Sequence, residues 1–237
     1  MRQLALQIHS TAPPTLDNFI PGRNGEVLAA LRDVLASEDL TSSPHFLYWW
    51  GPAASGKSHL LQALAEQLRA RGHQPHGIDA KLPVMGGLAG PLLLIDNVDR
   101  LSALHAEQVF HVWNAIHEQG GLLACTGNVA PAQLMLAPEL TSRLAWGAVY
   151  RLQTLDDADR RHALQERAQA LGLPISQDVL DYLLVHSARD LRTLLDLLAA
   201  LDDFSLAEQR PVTIPLVRAL LQARQATVTP LEPTKCD

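Results

Sequence analysis

Cysteine is nearly absent from the 237 residues: Cys125 and Cys236 lie far apart and form no metal-type spacing. Cys125 falls in an apolar run and reads as core, whereas Cys236 sits in a polar tail, so a reducing, cytoplasmic setting is expected. The ten histidines include no H-E-x-x-H pair, which argues against a zinc-type centre. No G-x-S-x-G elbow for a serine nucleophile occurs. Basic charge is also scarce. With 19 Lys and Arg against 25 Asp and Glu, the net charge of −6 excludes a broad basic surface for wrapping duplex DNA and leaves room only for a local patch. Long apolar runs are missing too: the most apolar stretch, GGLAGPLLLID, is short and interrupted by Gly and Pro, so no membrane span is expected. The residues after Met1 and Arg2 (QLALQIH) alternate apolar with polar, unlike a secretory signal. No repeats or low-complexity tracts appear.

What is present is an ordinary globular composition, 47% apolar and 19% charged, in a chain long enough for one large domain with a small one beside it. GEVLAALRDVLASED sets Val27, Leu28, Leu31, Val34 and Leu35 at helical spacing. HFLYWW reads as a buried strand running into GPAASGKS and then a helix carrying Leu60, Leu61, Leu64 and Leu68. HGIDA, PLLLIDN, GLLACTGN and AVYRL are further strands, and AEQVFHVWNAIHEQG is a helix with Val109, Val112, Trp113 and Ile116 on one face. Strands apolar throughout and alternating with helices predict an α/β domain whose parallel sheet is flanked by helices on both faces. After Leu152 the pattern becomes helix upon helix, with Leu191, Leu194, Leu195, Leu198 and Leu201 as one core stripe. The expected organisation is a peptide over residues 1–10, a nucleotide-binding domain over 11–153, a small all-helical domain over 154–225 and a frayed tail over 226–237.

GPAASGKS fits G-x-x-x-x-G-K-[ST] from Gly51 to Ser58 and has the strand before and helix after that the motif needs. Small residues let successive backbone N–H groups face phosphate oxygens at a helix N-terminus whose dipole favours anions. Gly51, Pro52, Ala53, Ala54, Ser55, Gly56, Lys57, Ser58 and the following His59 are therefore the expected nucleotide contacts, Lys57 meeting the β- and γ-phosphates and Ser58 ligating Mg²⁺. Asp96, the acid ending PLLLID, is the second Mg²⁺ residue, with a helix N-cap as its alternative role. The residue after it is Asn97. An amide can orient a water but cannot take its proton. Asp99 is two residues further on and reads as a solvated surface acid rather than a substitute base.

The arrangement resembles the AAA+ ATPases, which commonly carry a second acid where Asn97 stands. That resemblance implies a P-loop AAA+ domain followed by a helical lid, with slow hydrolysis of this chain's own nucleotide. It also implies a γ-phosphate sensor at Asn128, for which a turn residue is an equal alternative, and a lid arginine at Arg189, with Arg192 one turn later. LTSRLAWGAVYRL resembles the arginine-finger box of the DnaA branch, and FIPGRNGEVLAAL, from Phe19, resembles that branch's segment against the adenine. With IDNVD, RDLRTL and TIPLVRALL, the chain from Gln3 to about Leu221 is similar to the Hda family of regulatory inactivators of DnaA. Neither DnaA's N-terminal helicase-interacting domain nor a helix-turn-helix segment after Gln222 is expected.

QLALQI is similar to the sliding-clamp-binding motif, with Gln3, Leu4, Leu6 and Ile8 on the matching positions; a strand packed on its own domain is the alternative. The resemblance implies a regulator of replication initiation that carries ADP or ATP with Mg²⁺ and binds the DNA-loaded clamp (the polymerase β subunit). It would reach DNA only through that clamp, make no membrane contact, and be free to form a homo-oligomer. Arg143 would act in trans as an arginine finger on ATP bound to DnaA, with a structural salt bridge as its alternative role and Ser142 and Trp146 as packing residues beside it. A helicase-loader-type ATPase and a clamp adaptor without hydrolytic role are the competing readings.

Overall fold

The computed structural model describes residues 13–37, 39–82, 87–88, 90–186, 190–208 and 211–228. They divide into two compact units, one from Pro13 to Leu155 and one from Asp156 onward.

The first unit is built on five parallel strands, β1 (Pro44–Trp50), β2 (His76–Asp79), β3 (Leu92–Asp96), β4 (Gly121–Gly127) and β5 (Ala148–Arg151), in the spatial order β2-β3-β4-β1-β5. The register sets Asp79 opposite Asp96, and Trp50 opposite Gly127. β4 lies in the middle, and every one of its residues is buried. That is why GLLACTG is apolar without alternation.

Period-two geometry divides the strand residues between two cores. Leu47, Trp49, Leu92, Leu94, Leu122 and Ala124 join α1 (Gly25–Ala36) and α2 (Lys57–Ala70) in one core. Leu93, Ile95, Leu123 and Cys125 join α3 (Ala103–Gln119) and α4 (Pro138–Leu144) in the other. The apolar stripes read from the sequence are the faces that pack: Val27, Leu28, Leu31 and Leu35 on α1, and Val109, Val112, Trp113 and Ile116 on α3. α3 starts where Ser102 Oγ accepts from the His105 N–H, an N-cap that satisfies an otherwise orphaned donor. Cys125 is fully buried between the sheet and α3, and burial pushes its thiol pKa well above the ordinary value.

The second unit contains α5 (Asp157–Leu171), α6 (Gln177–His186), α7 (Leu191–Glu208) and α8 (Ile214–Val228). α5 is capped by the Asp156 carboxylate on the Asp159 N–H and stops at Gly172 in the left-handed conformation. Leu164, Leu183, Leu194, Leu197, Leu198, Leu201 and Val217 form its core. The helical stripe on α7 is thus centred on Leu194, Leu198 and Leu201 with Leu197 added, while Leu195 is only partly buried. α8 runs to Val228, into the tail expected from residue 226. Among the described residues no helix is long and apolar enough to cross a membrane.

All four tryptophans, Trp49, Trp50, Trp113 and Trp146, belong to the first unit, so their fluorescence reports its unfolding alone. Leu64 is fully buried under the sheet. Leu64→Ala is expected to destabilise this unit by about 2–5 kcal/mol, read as a lower urea midpoint of the tryptophan transition with the slope unchanged.

Candidate nucleotide-binding site

The loop joining β1 to α2 has the backbone of an anion cradle. Gly56 caps α2 at φ 91°, and a Cβ there would lie 2.8 Å from the Phe19 ring, so both conformation and space demand glycine. Leu60 is the first residue to close an intrahelical bond, to the Gly56 carbonyl (3.0 Å). The N–H groups of the preceding turn therefore face out of the helix end, where an anion is favoured. Ala54 (φ 61°) and Asn97 (φ 58°) are the non-glycine residues with positive φ among those described, and both lie here. Strain of this kind concentrates where a loop must hold a set shape.

Lys57 is 6% exposed, and its ammonium donates to the carbonyls of Gly51 and Pro52, both at 2.8 Å. Burial lowers its pKa below the usual lysine value, Asp96 and then Asp99 oppose that shift, and Lys81 adds to it. Asp96 ends β3, and its carboxylate accepts from the Thr126 hydroxyl at the end of β4. The same hydroxyl oxygen accepts from the Asn97 N–H at 3.0 Å. The Asn97 amide is turned toward β2, where it donates to Asp79 Oδ1 at 2.8 Å.

Asp99 departs from the expected solvated acid. The 3₁₀ turn Val98–Arg100 folds it back onto the end of β4, where its side chain is 17% exposed. There it accepts from the Asn128 N–H (3.1 Å) and the Asn128 side-chain amide (3.0 Å). Asn128 is thus clasped at the turn after β4, and the Tyr48 hydroxyl holds the same turn by donating to the Val129 carbonyl at 2.9 Å. Gly51 to His59, Asp96 and Asn128 lie at the C-terminal ends of the adjacent strands β1, β4 and β3. Ser58 is exposed at the start of α2, and the His59 ring contacts the Thr15 carbonyl (3.0 Å) and packs 5.5 Å from Phe19.

The segment carrying Phe19 is tied down by a residue not singled out from the sequence. Asn24 is 3% exposed; its amide donates to the Gln153 carbonyl (2.9 Å) and accepts from the Gln153 N–H (2.7 Å). Thr126, Asp79 and Asn24 were all missed as site residues. Asp79 closes β2 as Asp96 closes β3, and Thr126 is next to last in β4, a signal the sequence carried; the Asn24 clasp joins positions 129 apart and left no local trace.

Arg143 is not part of this cluster. It lies on α4 with its guanidinium 4.2 Å from the Phe110 ring centre and 5.1 Å from that of Trp113. Its Nε donates to Asn114 Oδ1 (3.1 Å), and no carboxylate pairs with it among the described residues. Trp146, expected to pack, does lie edge-on to Phe46, Trp113 and His117, yet it stays 60% exposed because the helix it follows ends at the surface. Ser142 donates to the Glu139 carbonyl within the same helix. Arg192 is exposed on α7. Gln3, Leu4, Leu6, Ile8 and Arg189 lie outside the described residues, as does Cys236.

The fold is similar to that of domain III of the Thermotoga maritima replication initiation protein DnaA. The TM-score is 0.71 at 19% identity, covering 90% of this chain and 97% of that one. AMPPCP-bound DnaA from Aquifex aeolicus is similar at TM-score 0.65 and 23% identity, over 84% and 70% of the two chains. The Thermotoga maritima RuvB Holliday junction branch migration motor is similar at 0.66 and 18%, over 89% and 72%. Likeness at these identities establishes a DnaA-like AAA+ fold and leaves the branch to other evidence. Residues 157–221 match the family model for the lid domain of Hda. An Hda-type lid thus follows a domain whose fold is like that of DnaA. The Hda lid match spans α5, α6 and α7 and most of α8, the whole described core of the second unit.

Thr126 serves Asp96 and Asn97 at once from a fully buried position. Thr126→Val keeps the shape and leaves the Asn97 N–H without an acceptor, at an expected cost of about 1–3 kcal/mol. A lower melting temperature is the expected outcome of calorimetry.

Proposed function

We propose that this Hda-like protein is a regulator of replication initiation that holds an adenine nucleotide in its own cradle and stimulates hydrolysis of ATP bound to the DnaA initiator. The observation that carries the reading is the Hda lid match on a chain whose arginine-box residue, Arg143, stands apart from its own phosphate cradle.

The residues present fit ADP or ATP with Mg²⁺. The start of α2, the Gly56 conformation and Lys57 suit a polyphosphate, while Ser58 and Asp96 offer the hard oxygen donors Mg²⁺ prefers. Phe19, packed on Gly56 and His59, closes the side where the DnaA-branch resemblance places the adenine. When bound, the nucleotide and metal would supply the charge that fixes the loop. Hydrolysis at this site is expected to be slow, because Asn97 cannot accept a proton and its amide is committed to Asp79.

Work in trans asks for a cation rather than a base. A guanidinium brought to a neighbour's γ-phosphate stabilises the charge that develops there, a contribution on the order of a thousandfold or more in rate. Arg143 is assigned that role, with Asn128 and Arg189 as the γ-phosphate sensor and lid contact of the home site. Gln3, Leu4, Leu6 and Ile8 are assigned to the sliding clamp, where an extended peptide offers alternate side chains to apolar pockets. An autonomous loader ATPase would need rapid turnover alone, and a pure adaptor would not need Arg143.

Arg143→Ala is expected to abolish stimulated hydrolysis of radiolabelled ATP on DnaA in the presence of DNA-loaded clamp, with nucleotide binding by the variant unchanged. Full stimulation by that variant would overturn the trans reading. Gln3→Ala combined with Leu6→Ala should remove clamp binding in a titration while leaving nucleotide affinity intact; clamp affinity equal to the parent chain would reject the peptide assignment.

A further inference from the structure

Phe110, Trp113 and Asn114 stand at positions i, i+3 and i+4 of α3 and therefore share one face of that helix. α4 lies against this face and sets Arg143 upon it. The guanidinium covers the Phe110 ring at 4.2 Å, with Trp113 at 5.1 Å, an arrangement in which the ring quadrupoles attract the cation. Trp113 itself stacks on Phe46 (4.7 Å) and on His117 (5.0 Å), which are also near each other (6.5 Å), so the floor under Arg143 belongs to a packed aromatic cluster.

Two edges of the guanidinium are anchored. Nε donates to Asn114 Oδ1 at 3.1 Å, and Nη1 donates to the Glu139 carbonyl at 3.2 Å. Nη2 makes no hydrogen bond among the described residues. A planar fork with one nitrogen left over is poised to donate to an anion without first being rearranged. A storage site would instead satisfy all three nitrogens or cancel the charge with a carboxylate, and neither occurs among the described residues.

We infer that Asn114 is a positioning residue for Arg143: its amide oxygen, with the Phe110 and Trp113 faces, fixes the guanidinium so that Nη2 is presented to the phosphate of a partner-bound nucleoside triphosphate. The inference rests on the proposed action of Arg143 in trans. Its physical content is preorganisation. An arginine that arrives already oriented does not lose its rotamer freedom in the transition state, so the benefit is in rate rather than in assembly.

Asn114→Leu removes the acceptor and retains the bulk. In the hydrolysis assay with ATP-loaded DnaA and DNA-loaded clamp, it is expected to lower the maximal stimulated rate by on the order of tenfold. The concentration of this chain giving half-maximal stimulation should stay within about twofold, and the melting temperature of the free chain should be unchanged. If Asn114→Leu does not fold, Asn114→Gln displaces the amide by one methylene and carries the same expectation. A maximal rate equal to wild type, or a change confined to the half-maximal concentration, overturns the positioning role. Arg143→Ala measured alongside separates the two claims: if it too stimulates fully, the action in trans has failed, whereas its inactivity beside an unaffected Asn114→Leu removes Asn114 alone.

Discussion

A lysine that is only 6% exposed sets the terms for the rest of the first unit. Removing a cation from water is costly unless fixed dipoles and opposite charge replace the lost solvation. Here the carbonyls of Gly51 and Pro52 supply the dipoles, while Asp96 and Asp99 supply the charge from the ends of other elements. Those acids are useful only where they stand, which explains the buried Thr126 hydroxyl, the positive φ of Asn97 and the clasp between Asp99 and Asn128. The same demand accounts for the strand order: β4 sits between the strand that leads into the loop and the strand that carries Asp96.

A DnaA domain and a branch-migration motor share this fold with the chain at similar TM-scores, so the sheet by itself does not choose a task. What differs is the decoration at the strand ends and on α4. Where the AAA+ resemblance leads one to expect an acid after Asp96 there is an amide, and that amide is turned to Asp79. The cation of α4 is seated on aromatic faces and an amide oxygen, with no carboxylate among the described residues to neutralise it. Under the function proposed above, an amide at position 97 and a guanidinium paired with no carboxylate among the described residues suit chemistry shared between two molecules.

Much of this was legible in the residues. β1, β3 and β4 carry continuous apolar runs because both sheet faces are covered there, and α1 and α3 bury the stripes that periodicity marks. GPAASGKS announces its loop because few sequences can adopt it. Asp99 was misread because sequence spacing says nothing of a 3₁₀ turn that reverses the chain within three residues. Asn114 and Asn24 escaped for a different reason: their partners lie 29 and 129 positions away, and an isolated asparagine on a helix or before one has many ordinary uses. Trp146 looked like packing and is only half so, since aromatic contact on one side does not prevent exposure on the other.

The thiol of Cys125 lies in the central strand with no exposed surface, between two sheet neighbours and α3. Only thiolate reacts, and burial suppresses that form here. Modification at this position consequently has to wait for the strand itself to come loose, so the native chain carries an internal clock. The rate at which a disulfide reagent captures this sulfur measures how often the middle of the sheet opens.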